Sequence, residues 1–153
     1  MGVRQIGARV QRVEDENLIR GDGKYLDDIQ LPNMAYVAFL RSSMAHAKIN
    51  ISDVTKAKSM PGVFGVFTYQ TLPSSLASKT QLETYPAPII KQSMCPDLLA
   101  NEEVAHVGQA IAMVVASSRH IAEDACELIE VEYTPLKPII DVVKAAEPDS
   151  ELT

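Results

Sequence analysis

Tryptophan is absent from this chain, and phenylalanine (three), histidine (three) and cysteine (two) are scarce. Two cysteines cannot form a disulfide framework, and Cys95 and Cys126 stand in unrelated contexts without the paired C-x-x-C spacing of a zinc site, so a reducing compartment is expected. Lysine and arginine never cluster and the net charge is −6, which removes the electrostatic footprint needed to hold a phosphate backbone; no nucleic-acid partner is expected. No stretch approaches the ~18 apolar residues that cross a bilayer, and the first sixteen residues lack the apolar core of a signal peptide. A cytoplasmic protein without membrane contact is the expectation. Gly2 follows Met1, but Ile6 occupies the place where a myristoylation motif needs Ser or Thr.

What is present is an ordinary globular mixture, 46% hydrophobic and 22% charged, over 153 residues. That length and composition predict one α+β domain over 1–153 with a core of its own. Residues 1–17 form a charged lead-in segment, and Gly21 and Gly23 then supply turn conformations before Asp27 and Asp28. Tyr36–Arg41 reads as a strand buried on both faces, followed by a second short strand at Ala47–Ile51. Ser52 or Asp53 caps a short helix near 53–60, which Pro61-Gly62 ends. Val63–Thr68 is the next strand, with Gly65 marking a bulge or a close backbone approach.

Between Leu72 and Leu98 the chain carries Pro73, Pro86, Pro88 and Pro96, so 73–98 is expected to be a long exposed excursion. The apolar run Ala110–Ala116 then predicts a central strand. A helix near 119–129 follows, capped by Ser117 or Ser118, with Ile121, Ala122, Ala125, Leu128 and Ile129 as its apolar stripe. Glu130–Thr134 alternates polar and apolar residues as a half-exposed strand does, and one more helical turn fits within Asp141–Ala146. The whole reads as a mixed sheet with two helices.

Catalytic signals are thin. His46, His106 and His120 lack the i, i+4 spacing that sets two imidazoles on one helix face for zinc. No Ser lies in a G-x-S-x-G elbow, and Cys126 falls inside the predicted amphipathic helix, where an inert thiol is expected. Asp27-Asp28 and Glu102-Glu103 are adjacent pairs that point to opposite sides of an extended chain, as solvated turn residues do. Gly21-x-Gly23 has neither the third glycine nor the preceding strand of a dinucleotide fingerprint. Val107-Gly108-Gln109 reads as a turn feeding the central strand.

Several motifs occur in a characteristic order. They are Gly21-x-Gly23-Lys24-Tyr25-x-Asp27-Asp28, then Leu40-Arg41-Ser42-Ser43-x-Ala45-His46-Ala47, then Pro61-Gly62-Val63. Val104-x-x-Val107-Gly108-Gln109-x-Ile111-Ala112 and Val131-Glu132-Tyr133-x-Pro135-Leu136 complete the series. Together, over roughly Ile6 to Ala146, they resemble the N-terminal α/β hammerhead domain of the molybdenum hydroxylase large subunit. That is the family of xanthine dehydrogenase, aldehyde oxidase and aerobic carbon monoxide dehydrogenase.

The resemblance implies a structural, non-catalytic domain or subunit packed against molybdopterin-binding domains, with FAD and [2Fe–2S] subunits in the full complex and no cofactor held by this chain. It implies no catalytic residue here, because the family's molybdenum-site glutamine and catalytic glutamate belong to later domains; Gln109 is not that glutamine. The face expected to dock onto those domains comprises Arg41, Ser42, Ser43, His46, Val107, Gly108 and Gln109. Two other readings stand beside it: a freestanding binding or scaffold module using the proline-rich loop, and a hydrolase using His46 or His106 with a nearby acid.

Overall fold

Successive β-rich runs separated by short helices build this fold, and the question is which strand meets which. The computed structural model describes Gly7, residues 11–77 and residues 97–147. The chain divides into two compact units, residues 1–34 and 35–153.

In the first unit, helix α1 (Asp15–Arg20) has acidic residues in its first turn and Arg20 in its last, which suits the helix dipole, and Glu16 and Arg20 pair at 2.6 Å. Gly21 ends it at φ 76°, a left-handed conformation that glycine adopts without steric cost. A short 3₁₀ turn over Leu26–Asp28 follows, and the Asp28 carboxylate accepts the Tyr25 N–H at 2.9 Å. The sequence had not announced α1, because none of its residues is buried and no apolar stripe marks it.

The second unit runs β1 (Tyr36–Arg41), β2 (Ala47–Asp53), α2 (Thr55–Ser59), β3 (Val63–Thr68) and α3 (Ser74–Ala77). It continues with β4 (Glu103–Val104), β5 (Ala110–Ala116), α4 (Arg119–Glu127), β6 (Glu130–Pro135) and α5 (Val142–Ala145). The short helix α3 is regular structure within the start of the expected excursion; residues 78–96 of that excursion lie outside the described residues.

Among the described residues the strands make two three-stranded sheets, ordered β1-β5-β3 and β4-β2-β6, and every pairing is antiparallel. This corrects the expected mixed sheet. A parallel pair needs a strand–helix–strand crossover that returns to the same sheet. Here α2 leads from β2 into β3 of the other sheet, and α4 leads from β5 into β6 of the other sheet. Both crossovers change sheets, so no parallel neighbours arise.

Helix α4 starts where Ser118 Oγ accepts the Ile121 N–H at 3.3 Å, and it buries Ala122, Ala125 and Cys126. These small side chains let it lie close on Ala112, Val114 and Ala116 of β5, with Ala57 of α2, Val66 and Ile129 closing the same core. Leu128, expected in the apolar stripe, is the C-cap and is 39% exposed, because the helix ends one residue before it. Asp53 accepts the Thr55 N–H at 2.8 Å at the start of α2, and its hydrogen bonds to Thr55 hold its carboxyl below the ordinary value.

A second core lies between the sheets: Ala47, Ile49, Ala100, Val104 and Ile111. Ile111 and Ala112 follow one another on β5 and so point to opposite faces, and each face is covered at that point: both are fully buried, one in each core. The β1–β5 register shifts at the Leu40–Arg41 step, where β5 carries one extra residue. The register also shifts between Val63 and Gly65 of β3, where the sequence placed a bulge. Strand β1, expected to be buried on both faces, is not: Val37 and Phe39 are 48% and 40% exposed. No helix among the described residues is long and apolar enough to cross a membrane.

Candidate docking site

The loop after β1 and the turn before β5 meet edge to edge, which brings four of the seven expected docking residues together. Ser42 N–H donates to the Gln109 carbonyl at 2.8 Å, and Gly108 N–H returns a 2.8 Å bond to the Ser42 carbonyl. Arg41 Nη1 donates to the Gly108 carbonyl at 2.9 Å. Gln109 Oε1 accepts the Ala105 N–H at 2.7 Å and so holds the other arm of the turn. Ser42 is 3% exposed, and its hydroxyl both donates to the Met44 carbonyl and accepts the Met44 N–H, which fixes the loop direction. Gly108 sits at φ 88°, in the left-handed region where glycine is at ease and a β-branched residue is strained.

The knot consumes its own backbone polar groups and presents other groups outward. Arg41 lies over the Phe39 ring at 5.5 Å. A guanidinium carries five N–H donors, so the bond to Gly108 engages only one of them. Val107, next to Gly108, is 63% exposed, and Ser43, next to Ser42, is exposed.

His46 belongs to a different contact. Its Nδ1 stands 2.8 Å from the Lys137 carbonyl and its Nε2 stands 2.6 Å from Glu103 Oε1, while the His46 carbonyl accepts the Leu136 N–H at 2.9 Å. A carbonyl only accepts, so Nδ1 carries a proton. A second proton on Nε2 then makes the Glu103 contact a charge-assisted bond. The Lys137 carbonyl first, and the Glu103 carboxylate second, raise the His46 pKa above 6.5. With both ring nitrogens engaged, His46 is a structural clasp and has no nitrogen left for acid–base work on a substrate.

His106 offers its backbone carbonyl to Gln109. Glu103, read from sequence as half of a solvated pair, is in fact the partner of His46. Its strand β4 has only two residues, too few for any periodic signal.

The raised pKa gives a pH prediction. Because the folded state binds the His46 proton more tightly than the unfolded state, the clasp stabilises fully below about pH 6.5 and its contribution is lost as pH rises through the folded-state pKa. Nuclear magnetic resonance titration should place His46 above 6.5, and Glu103→Gln should lower it. An unshifted His46 in the native chain would remove the clasp from the account.

Buried Cys126, on α4, has its thiol pushed up to about 11 by burial, which keeps it protonated and unreactive at neutral pH. A polar cleft bordered by Asn50, Asp53, Gln70 and Asn101 is internally paired: Asn50 donates to Glu132 at 3.1 Å and Gln70 to Asn101 at 3.4 Å.

Against known proteins, residues 20–137 match the family described as aldehyde oxidase and xanthine dehydrogenase, a/b hammerhead domain. The chain belongs to this family. The carbon monoxide dehydrogenase large chain of Afipia carboxidovorans is 42% identical over 147 residues, covering 96% of this chain and 17% of that relative. The nicotine 6-hydroxylase large subunit of Paenarthrobacter nicotinovorans is 39% identical, covering 92% and 17%. Among solved structures, quinoline 2-oxidoreductase from Pseudomonas putida 86 superposes with a TM-score of 0.74 at 39% identity, over 92% of this chain and 18% of that one. CO dehydrogenase from Oligotropha carboxidovorans superposes with a TM-score of 0.71 at 38% identity, over 94% and 17%.

The hammerhead domain therefore spans about one-sixth of the length of these relatives. Its matched region ends at Lys137, the residue whose carbonyl His46 grips.

Proposed function

We propose that this hammerhead domain is a structural, non-catalytic part of a molybdopterin-dependent oxidoreductase of the xanthine, aldehyde or carbon monoxide dehydrogenase type. It packs against molybdopterin-binding domains, in a complex that also holds FAD and [2Fe–2S] subunits. The observation that carries this reading is coverage: almost the whole chain aligns with about one-sixth of a large chain. The docking contacts are the outward groups of the Arg41–Ser42–Gly108–Gln109 knot with Ser43 and Val107, and the separate His46 clasp completes the proposed face.

The two cysteines of this chain do not fit a [2Fe–2S] cluster. A [2Fe–2S] cluster asks for four Cys thiolates, whereas Cys126 is buried and protonated. Among the described residues no three His, Cys, Asp or Glu side chains converge as a metal site. No chemical step is accordingly assigned to this chain. Its contribution is geometric: a partner seated on fixed backbone and a preset guanidinium loses little conformational freedom on assembly.

The test is a chimera. This chain replaces the matching segment of the Afipia carboxidovorans large chain, which is expressed with its partner subunits. Assembly with bound molybdenum is the expected result. Gly108→Val should reduce assembly while leaving the free chain folded, since a side chain at Gly108 meets only open space within the domain and costs backbone strain alone, about 1–2 kcal/mol. A chimera that never assembles contradicts the proposal.

A further inference from the structure

The two sheets differ in what they show on their non-core faces. In the β4-β2-β6 sheet the outward residues are polar, with Lys48 opposite Thr134 and Asn50 opposite Glu132. This is the ordinary arrangement for an antiparallel sheet with one face in water. The β1-β5-β3 sheet breaks that rule. Val37 lies opposite Val115 and Phe39 opposite Met113; across β5, Val115 faces Gly65 and Met113 faces Phe67. Val37 and Phe39 are 48% and 40% exposed.

Gly65 also has a reason to be glycine here. A Cβ at that position would come within 2.9 Å of the Phe67 ring, so the ring lies over the glycine and carries the apolar surface across it. Arg41, over Phe39, joins this platform to the Gly108 knot. A contiguous, part-exposed apolar sheet face of this kind marks an interaction site.

We infer that the outer face of the β1-β5-β3 sheet is covered by an apolar surface of the rest of a large chain, the portion amounting to about five-sixths of the relatives' length that the hammerhead domain leaves over. This rests on the proposed function and names the surface through which it works. Two observations favour that occupant over a second copy. The relatives embed the domain in a chain about six times longer. Two copies of a chain with net charge −6 repel each other, whereas a larger partner brings charges of its own.

The experiment uses the same chimera. Val37→Glu with Phe39→Glu places two charges on the platform, and Thr134→Glu places one on the polar face of the other sheet. With the free chain's melting unchanged, the double variant should lower the yield of assembled, molybdenum-bearing complex by roughly tenfold or more, and Thr134→Glu should not.

Oxidation of Met113 is a second readout that needs no substitution: its rate should fall at least severalfold between the free chain and the chimera. An unaltered chimera that fails to assemble refutes the proposed function and this inference together. Normal assembly of the double variant, or an unchanged Met113 rate, refutes the inference and leaves the proposed function standing. A free chain that dimerises through Val37 and Phe39 while the chimera is indifferent to them assigns the face to a second copy and overturns the inference.

Discussion

Ile111→Ala is expected to destabilise the folded chain by about 2–5 kcal/mol, the largest effect of any single truncation proposed for this protein. Ile111 has no exposed surface and fills the core between the two sheets. Two of its neighbours there, Ala47 and Ala100, are too short to collapse into the vacated space. The cost therefore combines lost transfer energy with a persistent cavity, and it belongs in the upper part of that range. Ile111→Val removes one methylene and should cost only about 0.5–1.5 kcal/mol. Urea denaturation of the three proteins checks both numbers; equal midpoints for Ile111→Ala and the parent would mean that β5 does not deliver this side chain to the second core.

Gly62→Val is expected to cost about 2–4 kcal/mol, from two sources that add. Gly62 lies at φ 89°, and its carbonyl accepts the Ser117 N–H at 2.9 Å, which ties the start of β3 to the end of β5. A Cβ there would stand 2.8 Å from Ser117 Oγ and 2.9 Å from Ile121 Cδ1, so the new side chain presses on the cap and first turn of α4. Gly108 provides the comparison. It has a similar φ of 88° and open space around it, so Gly108→Ala carries backbone strain alone, about 1–2 kcal/mol. Denaturation midpoints falling equally for Gly62→Val and Gly108→Ala would show that contact with α4 contributes nothing at Gly62.

These two positions also show what local sequence signals reach. Gly62 after Pro61 was legible as a helix stop, Ser118 as a cap, Ala110–Ala116 as a central strand and Glu130–Thr134 as a half-exposed one. Each rests on chemistry within a few residues of chain. The division into two sheets was not legible, because it depends on where α2 and α4 set down the next strand, and nothing in either helix's own sequence records that. The register shift at the Leu40–Arg41 step was hidden by an unbroken apolar run that gives no sign of an extra residue in β5.

At the candidate site, resemblance to a family marked Arg41, Ser42, Gly108 and Gln109, which lie far apart in sequence and are joined only by the antiparallel pairing of β1 with β5. Glu103 was missed, since two residues of strand carry no period and an acidic pair beside a loop reads as solvated. Val37 and Phe39 misled in a useful way: apolar residues on both sides of β1 predicted burial on both faces, and the described residues cover only one.

The most direct test of the account is to purify the polypeptide from its natural source under mild conditions and determine its intact mass together with its molybdenum content. The account predicts one of two results: a mass several times the 16.7 kDa of this sequence with molybdenum in the same peak, or a 16.7 kDa chain that elutes with molybdenum-bearing subunits. A 16.7 kDa chain eluting alone, free of molybdenum and stable in that form, would contradict it.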